Sequence, residues 1–166
     1  MALTVEDGSL VAGADSYVTR ADFITFAAAR GVTVTDDVTA DEYLLKAAEY
    51  IDRHESNLKG TLVDRDQAMA FPRNDVYVDS WYWSNTEIPR QVILCQMAFA
   101  LDIRDGVDLY NRPQNPNLVA KKQKVDVVEV EYAVEKNPQK LSQTSTGDAL
   151  LASLLRNNGL VQLIRS

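Results

Sequence analysis

IPRQVILCQMAFALDI, residues 88–103, is the stretch around which the rest of the chain is expected to fold. Its centre is apolar apart from Gln96, and the run is too short to span a membrane and too long for an ordinary strand. Pro89 suits the first turn of a helix, and Gly106 suits the left-handed position that follows one. A helix of this size is about 24 Å long, roughly the width of a small domain. The sequence therefore predicts a buried central helix over 88–104, most simply as core.

Two more helices are predicted on the N-terminal side of this stretch. Thr19 is placed to cap a helix over about 20–30. Thr39, with Glu42 three residues later, forms a capping-box pattern for a second helix over about 40–54. The expected fold class is mainly α, a small helical bundle around the central helix.

Two segments favour β structure. Residues 125–132, VDVVEVEY, alternate strictly enough to predict a short strand. Residues 76–83 alternate less clearly, as a short strand or hairpin arm, and end in Trp81, Tyr82 and Trp83. Those rings have two interpretations of about equal weight: a contact surface on an exposed loop, or a cap on the bundle.

The C-terminal part is expected to be an extended arm. Residues 135–147 are polar and read as a linker. Residues 148–166 then carry an apolar stripe, which should dock either on the chain's own bundle or on a partner. The stripe consists of Leu150, Leu151, Leu154 and Leu155, followed by Leu163 and Ile164. The predicted organisation is a helical body over 1–134 with an aromatic loop at 74–87, the linker, and a docking arm over 148–166.

Composition limits the classes of function. The formal net charge is −7, which argues against tight nonspecific binding to a phosphate backbone. The charge is uneven, with −9 over residues 1–87 and +2 over 88–166. Cys95 is the single cysteine and cannot form an intramolecular disulfide, and we expect a soluble chain of intracellular origin without a membrane partner.

The residues offer no catalytic, cofactor or metal site. His54 is the single histidine, so a site with several histidines is excluded. Cys95 and His54 could form a nucleophile and base, but a thiol buried in an apolar helix is inert. Lys59-Gly60-Thr61 lacks the upstream glycine of a phosphate-binding loop. We expect a protein that is not an enzyme.

Several segments in order resemble a family of tailed-phage proteins labelled DnaT-like single-stranded-DNA-binding, which look similar to α-helical head–tail adaptor (head-completion, connector) proteins. The resemblance covers most of the chain, and the order of the motifs carries it. The motifs are ADSYV at 14–18, LLKAAEYID at 44–52, Lys59-Gly60, QAMAFPR at 67–73, Ile88-Pro89, the valine strand ending at Tyr132, and the leucine arm with Arg165.

The resemblance implies two different functions. An adaptor implies a homo-oligomeric ring, commonly a dodecamer, beneath the portal protein in the virion neck, made in the host cytoplasm. Packaged double-stranded DNA would pass through it without specific binding, and a tail-side neck or tail-terminator protein would join below. The alternative is a single-stranded-DNA-binding, DnaT-like replication accessory protein. The adaptor is favoured, because a groove that binds DNA requires clustered Lys and Arg between aromatic residues, whereas Trp81–Trp83 lie among acidic residues.

The adaptor interpretation assigns roles to both apolar features. The acidic front of one subunit would meet the more basic back of the next, a heterologous contact that closes a ring. The leucine stripe of 148–166 would dock on the portal as a helix in a groove. Trp81, Tyr82 and Trp83 would contact the tail-side component.

Overall fold

The computed structural model describes residues 3–110 and 145–156. These form a mainly α fold, as the sequence predicts, together with two small antiparallel sheets. The helices are α1 (Arg20–Ala28), α2 (Val38–Asp52), α3 (Arg90–Arg104) and α4 (Thr146–Leu154), with a 3-10 turn at Glu55–Asn57. The strands are β1 (Thr61–Leu62), β2 (Arg73–Asn74), β3 (Val76–Val78) and β4 (Trp81–Trp83), paired as β1–β2 and β3–β4.

The predicted central helix is confirmed as α3, which packs against both α2 and α4. Val92, Cys95 and Phe99 on this helix are fully buried. Gly106 has a φ of +83° just after the helix, the conformation expected of a left-handed cap residue. Pro89 differs slightly from the prediction, since it precedes the first helical residue as the N-cap.

Gln96, the one polar residue at the centre of α3, is completely buried and fully hydrogen-bonded. Its Oε1 accepts a bond of 2.9 Å from the backbone N–H of Tyr17. Its Nε2 donates to Ser16 Oγ at 2.8 Å and to the carbonyl of Leu44 at 2.9 Å. This amide therefore joins three parts of the chain: the segment before α1, the middle of α2 and α3.

The starts of the first two helices test the capping predictions. Thr19 caps α1, as predicted, because its side chain accepts a hydrogen bond from the backbone N–H of Asp22. The Thr39 cap is wrong: α2 begins earlier, with Asp37 as N-cap accepting from the N–H of Thr39. Aspartate is at least as good an N-cap residue as threonine, so the helix begins after Asp37, two residues upstream of the predicted cap Thr39.

The leucine stripe lies in the chain's own fold. Leu151 and Leu154 on α4 are buried in the core, and Leu150 and Leu155 pack against it partly buried. Gly147 on α4 lies so close to α3 that an added Cβ would sit 2.5 Å from the ring of Phe99. The expectation that this stripe extends away as an arm is therefore corrected for α4.

The end of α4 is also fastened to the loop after α2. The backbone N–H of Lys59 donates to the carbonyl of Leu154 at 2.9 Å, and Lys59 Nζ donates to the carbonyl of Ser153 at 2.7 Å. Arg156 donates from its backbone to Asn57 and from its guanidinium to the carbonyls of Leu58 and Gly60. These bonds satisfy carbonyls that a helix terminus and a loop would otherwise expose.

Some predictions fall outside the described residues. They include the 125–132 strand, most of the 135–147 linker, and Leu163 and Ile164. The division into body, linker and arm therefore stays a prediction. Among the helices that are described, none is long and apolar enough to cross a membrane.

Candidate functional site

Residues 76–83, which carry the aromatic cluster, form a β-hairpin. A hairpin is one of the two structures that the sequence predicts for them. Val76 pairs with Trp83, Tyr77 with Tyr82, and Val78 with Trp81. The two loop residues, Asp79 and Ser80, have φ values of +52° and +69°. Two positive φ values in a two-residue loop are typical of a type I′ turn, whose twist suits a tight hairpin.

The two faces of this hairpin differ sharply. Val76 and Val78 are buried in the core, whereas the cross-strand pair Tyr77 and Tyr82 is 58% and 56% exposed. The two tyrosine rings lie 5.3 Å apart between centroids on the outer face. Trp81 pairs with Val78 and so belongs to the other face, but it stands next to the turn and is 75% exposed. We call these three exposed rings, Tyr77, Trp81 and Tyr82, the aromatic platform. The buried valines hold the strands that carry it, so the rings are presented on a supported element.

The hairpin is also tied to α3 by a polar contact. Gln91 Nε2 donates a hydrogen bond of 2.9 Å to Asp79 Oδ2 in the turn. The Oε1 atom of Gln91 is buried, with no hydrogen-bond partner among the described residues. The indole Nε1 of Trp83 is likewise buried and unpaired in that part of the chain. The unpaired acceptor of Gln91 lies on α3 and the unpaired donor of Trp83 lies on β4, the helix and the hairpin strand that this region brings together.

A cleft of about 440 Å³ opens beside the hairpin, between the N-terminal segment and the start of α3. Its lining residues are Val5, Glu6, Asp7, Tyr17, Trp83, Thr86, Glu87, Ile88 and Ile93. Such a volume is within the range of small-ligand sites.

The N-terminal wall of this cleft is fixed by Glu6. Its buried carboxylate accepts three backbone hydrogen bonds of 2.8–3.0 Å, from the N–H groups of Gly8, Leu10 and Val11. Gly8 has a φ of +105°, and a Cβ there would sit 2.2 Å from the carbonyl oxygen of Thr86. Only glycine fits this close approach, which brings the N-terminal segment against the loop before α3.

The charges around the platform are mostly negative. Asp75, Asp79 and Glu87 are exposed, and so is Arg90 at the start of α3. Arg73 points inward instead, because its guanidinium donates to the carbonyls at positions 59, 60 and 70. Burial lowers the pKa of Arg73. Of the two arginines that the sequence places near the rings, Arg90 alone is available to a phosphate.

Cys95 and His54, the two residues considered for catalysis, make contacts that belong to the packing of the fold. The Cys95 thiol is fully buried and donates to the carbonyl of Gly147 at 3.4 Å; burial also raises its pKa, which suppresses the thiolate. The ring of His54 packs edge-on against Tyr50, and its Nδ1 lies 2.8 Å from the Tyr50 carbonyl. Within residues 3–110 and 145–156, no three His, Cys, Asp or Glu side chains are grouped for a metal ion. That the chain is not an enzyme stays a prediction.

The three predicted contact aromatics do not act as one set. Trp81 and Tyr82 belong to the exposed platform, while Trp83 is partly buried and lines the cleft. Sequence reasoning missed Tyr77, although the alternation of Val76, Tyr77 and Val78 could have placed its ring on the outer face. It also missed the cleft, whose walls come from segments distant in sequence.

A family model described as "Putative DnaT-like ssDNA binding protein" matches residues 1–166. No curated protein and no solved structure matches the chain. This match corrects the preferred prediction of a head–tail adaptor: the description concerns single-stranded DNA, and nothing found supports a connector, a portal-bound ring or a tail-side partner. The finding favours the alternative function instead. The virion location depended on the adaptor interpretation and stays untested. Over its full length, the chain belongs to the family of DnaT-like single-stranded-DNA-binding proteins.

Proposed function

We propose that this protein binds single-stranded DNA on the aromatic platform of its β3–β4 hairpin. The observation that carries the proposal is the exposure of Tyr77, Trp81 and Tyr82 on one supported hairpin. Bases of a single strand stack on such rings, each contributing about 1–3 kcal/mol without regard to sequence. The family membership supports the same ligand.

The charge pattern determines how this binding should respond to salt. A protein that neutralises many phosphates loses affinity steeply as salt rises, because condensed counterions are released. Around the platform Arg90 is exposed, Arg73 is turned inward, and three carboxylates are exposed. Binding should therefore depend mainly on stacking, with a shallow slope of log affinity against log salt, equivalent to about one or two phosphate contacts.

The test is a titration of a labelled oligonucleotide with the purified chain, followed by fluorescence anisotropy at several salt concentrations. Trp81→Ala and Tyr82→Ala should each weaken binding about 5-fold or more, as expected for loss of a stacking partner. Quenching of tryptophan fluorescence on binding should be reduced in Trp81→Ala.

Tyr110→Ala is the matched control, because Tyr110 is also an exposed aromatic residue but lies after α3, outside the hairpin. Its affinity for the oligonucleotide should equal that of the wild type. Equal loss in Tyr110→Ala and Trp81→Ala would contradict a site on the hairpin. Absence of oligonucleotide binding by the wild type would overturn the proposed function altogether.

A further inference from the structure

Three cationic side chains meet at the loop that follows α2: Lys59, Arg73 and Arg156. We call these three residues the cation cluster. Within residues 3–110 and 145–156, their side chains donate only to backbone carbonyl oxygens, and none of them forms an ion pair. The cluster therefore carries positive charge that no carboxylate of the described chain neutralises by direct contact.

Two of these cations share one acceptor. The guanidinium groups of Arg73 and Arg156 both donate to the carbonyl oxygen of Gly60, through Nη2 atoms at 3.3 Å and 2.6 Å. The two nitrogen atoms lie no farther apart than the sum of these distances, and two positive charges repel each other at that separation. Burial lowers the pKa of Arg73 and the charge of Arg156 lowers it further, whereas the Glu55 carboxylate opposes both. An anion bound at this place would relieve the repulsion.

Arg156 is the member of the cluster that an anion can reach. Its side chain is exposed, whereas only 4% of the surface of Arg73 is exposed. The Nε and Nη2 atoms of Arg156 donate to the carbonyls at positions 58 and 60, and its Nη1 atom has no acceptor in the described chain. A guanidinium that two bonds already hold in place loses less side-chain freedom when it binds a phosphate.

The cation cluster lies at the base of the β3–β4 hairpin, the end away from its turn. An added Cβ at Gly60 would sit 2.2 Å from the carbonyl oxygen of Asn74 and 2.8 Å from Cγ2 of Val76, the first residue of β3. Tyr77 of the aromatic platform is the next residue along this strand. The turn of the hairpin is hydrogen-bonded to the first turn of α3, which begins at Arg90. Each end of the hairpin therefore has an exposed arginine near it.

We propose that Arg156, with the charges of Lys59 and Arg73 beside it, binds a backbone phosphate of the single strand whose bases stack on the aromatic platform. Proteins that bind single strands without sequence preference combine aromatic rings for the bases with cations that follow the backbone. A strand that continues past the base of the hairpin meets the cation cluster there. The inference rests on the proposed function, because the platform holds the strand.

The salt dependence of oligonucleotide affinity measures this contact. Each phosphate neutralised on a single strand contributes about 0.7 to the slope of log affinity against log salt. Arg156→Gln should therefore reduce that slope by about 0.7 and weaken binding about 5-fold at about 50 mM salt. Arg156→Lys keeps the charge but cannot make both carbonyl bonds, so it should keep the wild-type slope. A merely structural role would leave the slope unchanged in both variants.

Arg30→Gln is the matched control. Arg30 is also exposed and also donates to a backbone carbonyl, that of Phe26, without an ion pair in the described chain. It follows α1 and is not a member of the cation cluster, so its slope should equal that of the wild type. Urea unfolding of each variant verifies that the titrations are made on folded protein, since Arg156 also fastens the end of α4.

The outcomes distinguish this inference from the proposed function. An unchanged slope in Arg156→Gln, or an equal fall in Arg30→Gln, overturns the phosphate contact and leaves the platform intact. A slope that falls as expected while Trp81→Ala binds like the wild type overturns the platform instead.

A wild type that binds no oligonucleotide overturns the proposed function, and inorganic phosphate then tests the cluster separately. Phosphate replaces chloride at constant ionic strength, and thermal unfolding is compared between the wild type and Arg156→Gln, since a ligand of the folded state raises its stability. A phosphate effect that depends on Arg156 would assign the cluster to free phosphate and overturn its role towards DNA. Equal effects in the two proteins would overturn the cluster as a phosphate site altogether.

Discussion

The phenol of Tyr17 donates a hydrogen bond of 2.6 Å to Asp52 Oδ1 at the end of α2. The same phenol oxygen accepts from the backbone N–H of Phe71 at 3.2 Å, and Asp52 Oδ1 also accepts from Ala70 N–H at 3.2 Å. One tyrosine and one aspartate thus join the segment before α1, the end of α2 and the segment leading to β2. Burial raises the pKa of Asp52 to about 6, although the bonds from Tyr17 and Ala70 favour its charged form.

Asp52 should make the stability of the fold depend on pH. Because its pKa is about 6 in the folded chain and about 3.9 when unfolded, the folded state holds more protons between these values. The contribution of this group to the free energy of unfolding should therefore be largest below about pH 4 and fall by up to about 3 kcal/mol as the pH rises from about 4 through 6. Asp52→Asn keeps an Oδ1 acceptor for both donors and removes this loss.

The measurement is urea unfolding of both proteins at pH 4.5 and pH 7.5. The other carboxylates titrate in both proteins, so only the difference between wild type and variant is informative. Asp52→Asn should gain stability relative to the wild type as pH rises. Glu49→Gln, at an exposed position of the same helix, is the control for removing one acidic side chain from α2. A pH-independent difference for Asp52→Asn would remove the role given to this carboxyl.

Gln96→Leu should be among the most destabilising single changes on α3. It leaves the N–H of Tyr17 buried without its partner, and it removes one bond each from the Leu44 carbonyl, which lies inside α2, and from the Ser16 hydroxyl, which keeps its bonds with Val18. A buried unpaired N–H costs about 1–3 kcal/mol and each further lost bond about 0.5–1.5 kcal/mol, so we expect a loss of at least about 2 kcal/mol in chemical unfolding.

Gln91→Leu on the same helix is the matched control for this prediction. It removes a buried carbonyl that has no partner among the described residues, together with one exposed bond to Asp79. The two effects oppose each other, so stability should change by less than about 1 kcal/mol. Equal losses for the two glutamine variants would mean that the Gln96 network is not a major source of stability.

These contacts mark the limit of what could be predicted from sequence. The α1, α2 and α3 segments follow from local periodicity and punctuation by Pro and Gly, because those signals act within a few residues. Alternation also indicated the hairpin. The partner of Asp52 lies 35 residues away and that of Gln96 about 80 residues away, and no local signal encodes such pairs. The α4 leucine stripe indicated a face that must be covered, but amphipathicity identifies an apolar face and not the surface that covers it.

Gly147→Ala should destabilise the chain, although alanine is normally the better helix residue. An added Cβ would sit 2.5 Å from the Phe99 ring, so α4 must shift away from α3. Overpacking of this kind costs typically about 1–3 kcal/mol. The Cys95 thiol, buried beneath Gly147, reports the shift: its labelling by a thiol reagent should be slow in the wild type and faster in Gly147→Ala.

A double-mutant cycle with Phe99→Leu tests whether the contact between position 147 and the Phe99 ring causes this loss of stability. The smaller, flexible leucine leaves room for the new Cβ, so Gly147→Ala should cost less in the Phe99→Leu background than in the wild type. If Gly147→Ala instead stabilises the protein, or leaves Cys95 as protected as before, α4 is not packed against α3 in solution.

Ser80→Gly should stabilise the hairpin without touching its aromatic rings. Ser80 has a φ of +69°, a left-handed conformation that costs an L residue with a Cβ roughly 1 kcal/mol and that glycine adopts freely. Asp79 and Ser80 occupy a type I′ turn, for which a glycine in the second position is the strongest preference. We expect the free energy of unfolding to rise by about 0.5–1 kcal/mol, less the greater chain entropy of glycine when unfolded.

Ser56→Gly is the control, since Ser56 is also exposed but lies in a 3-10 turn, where the same change should lower stability. Because the platform depends on a rigid turn, Ser80→Gly should also leave oligonucleotide affinity equal or slightly higher. A loss of both stability and affinity would show that the serine side chain, and not the backbone conformation, holds this turn.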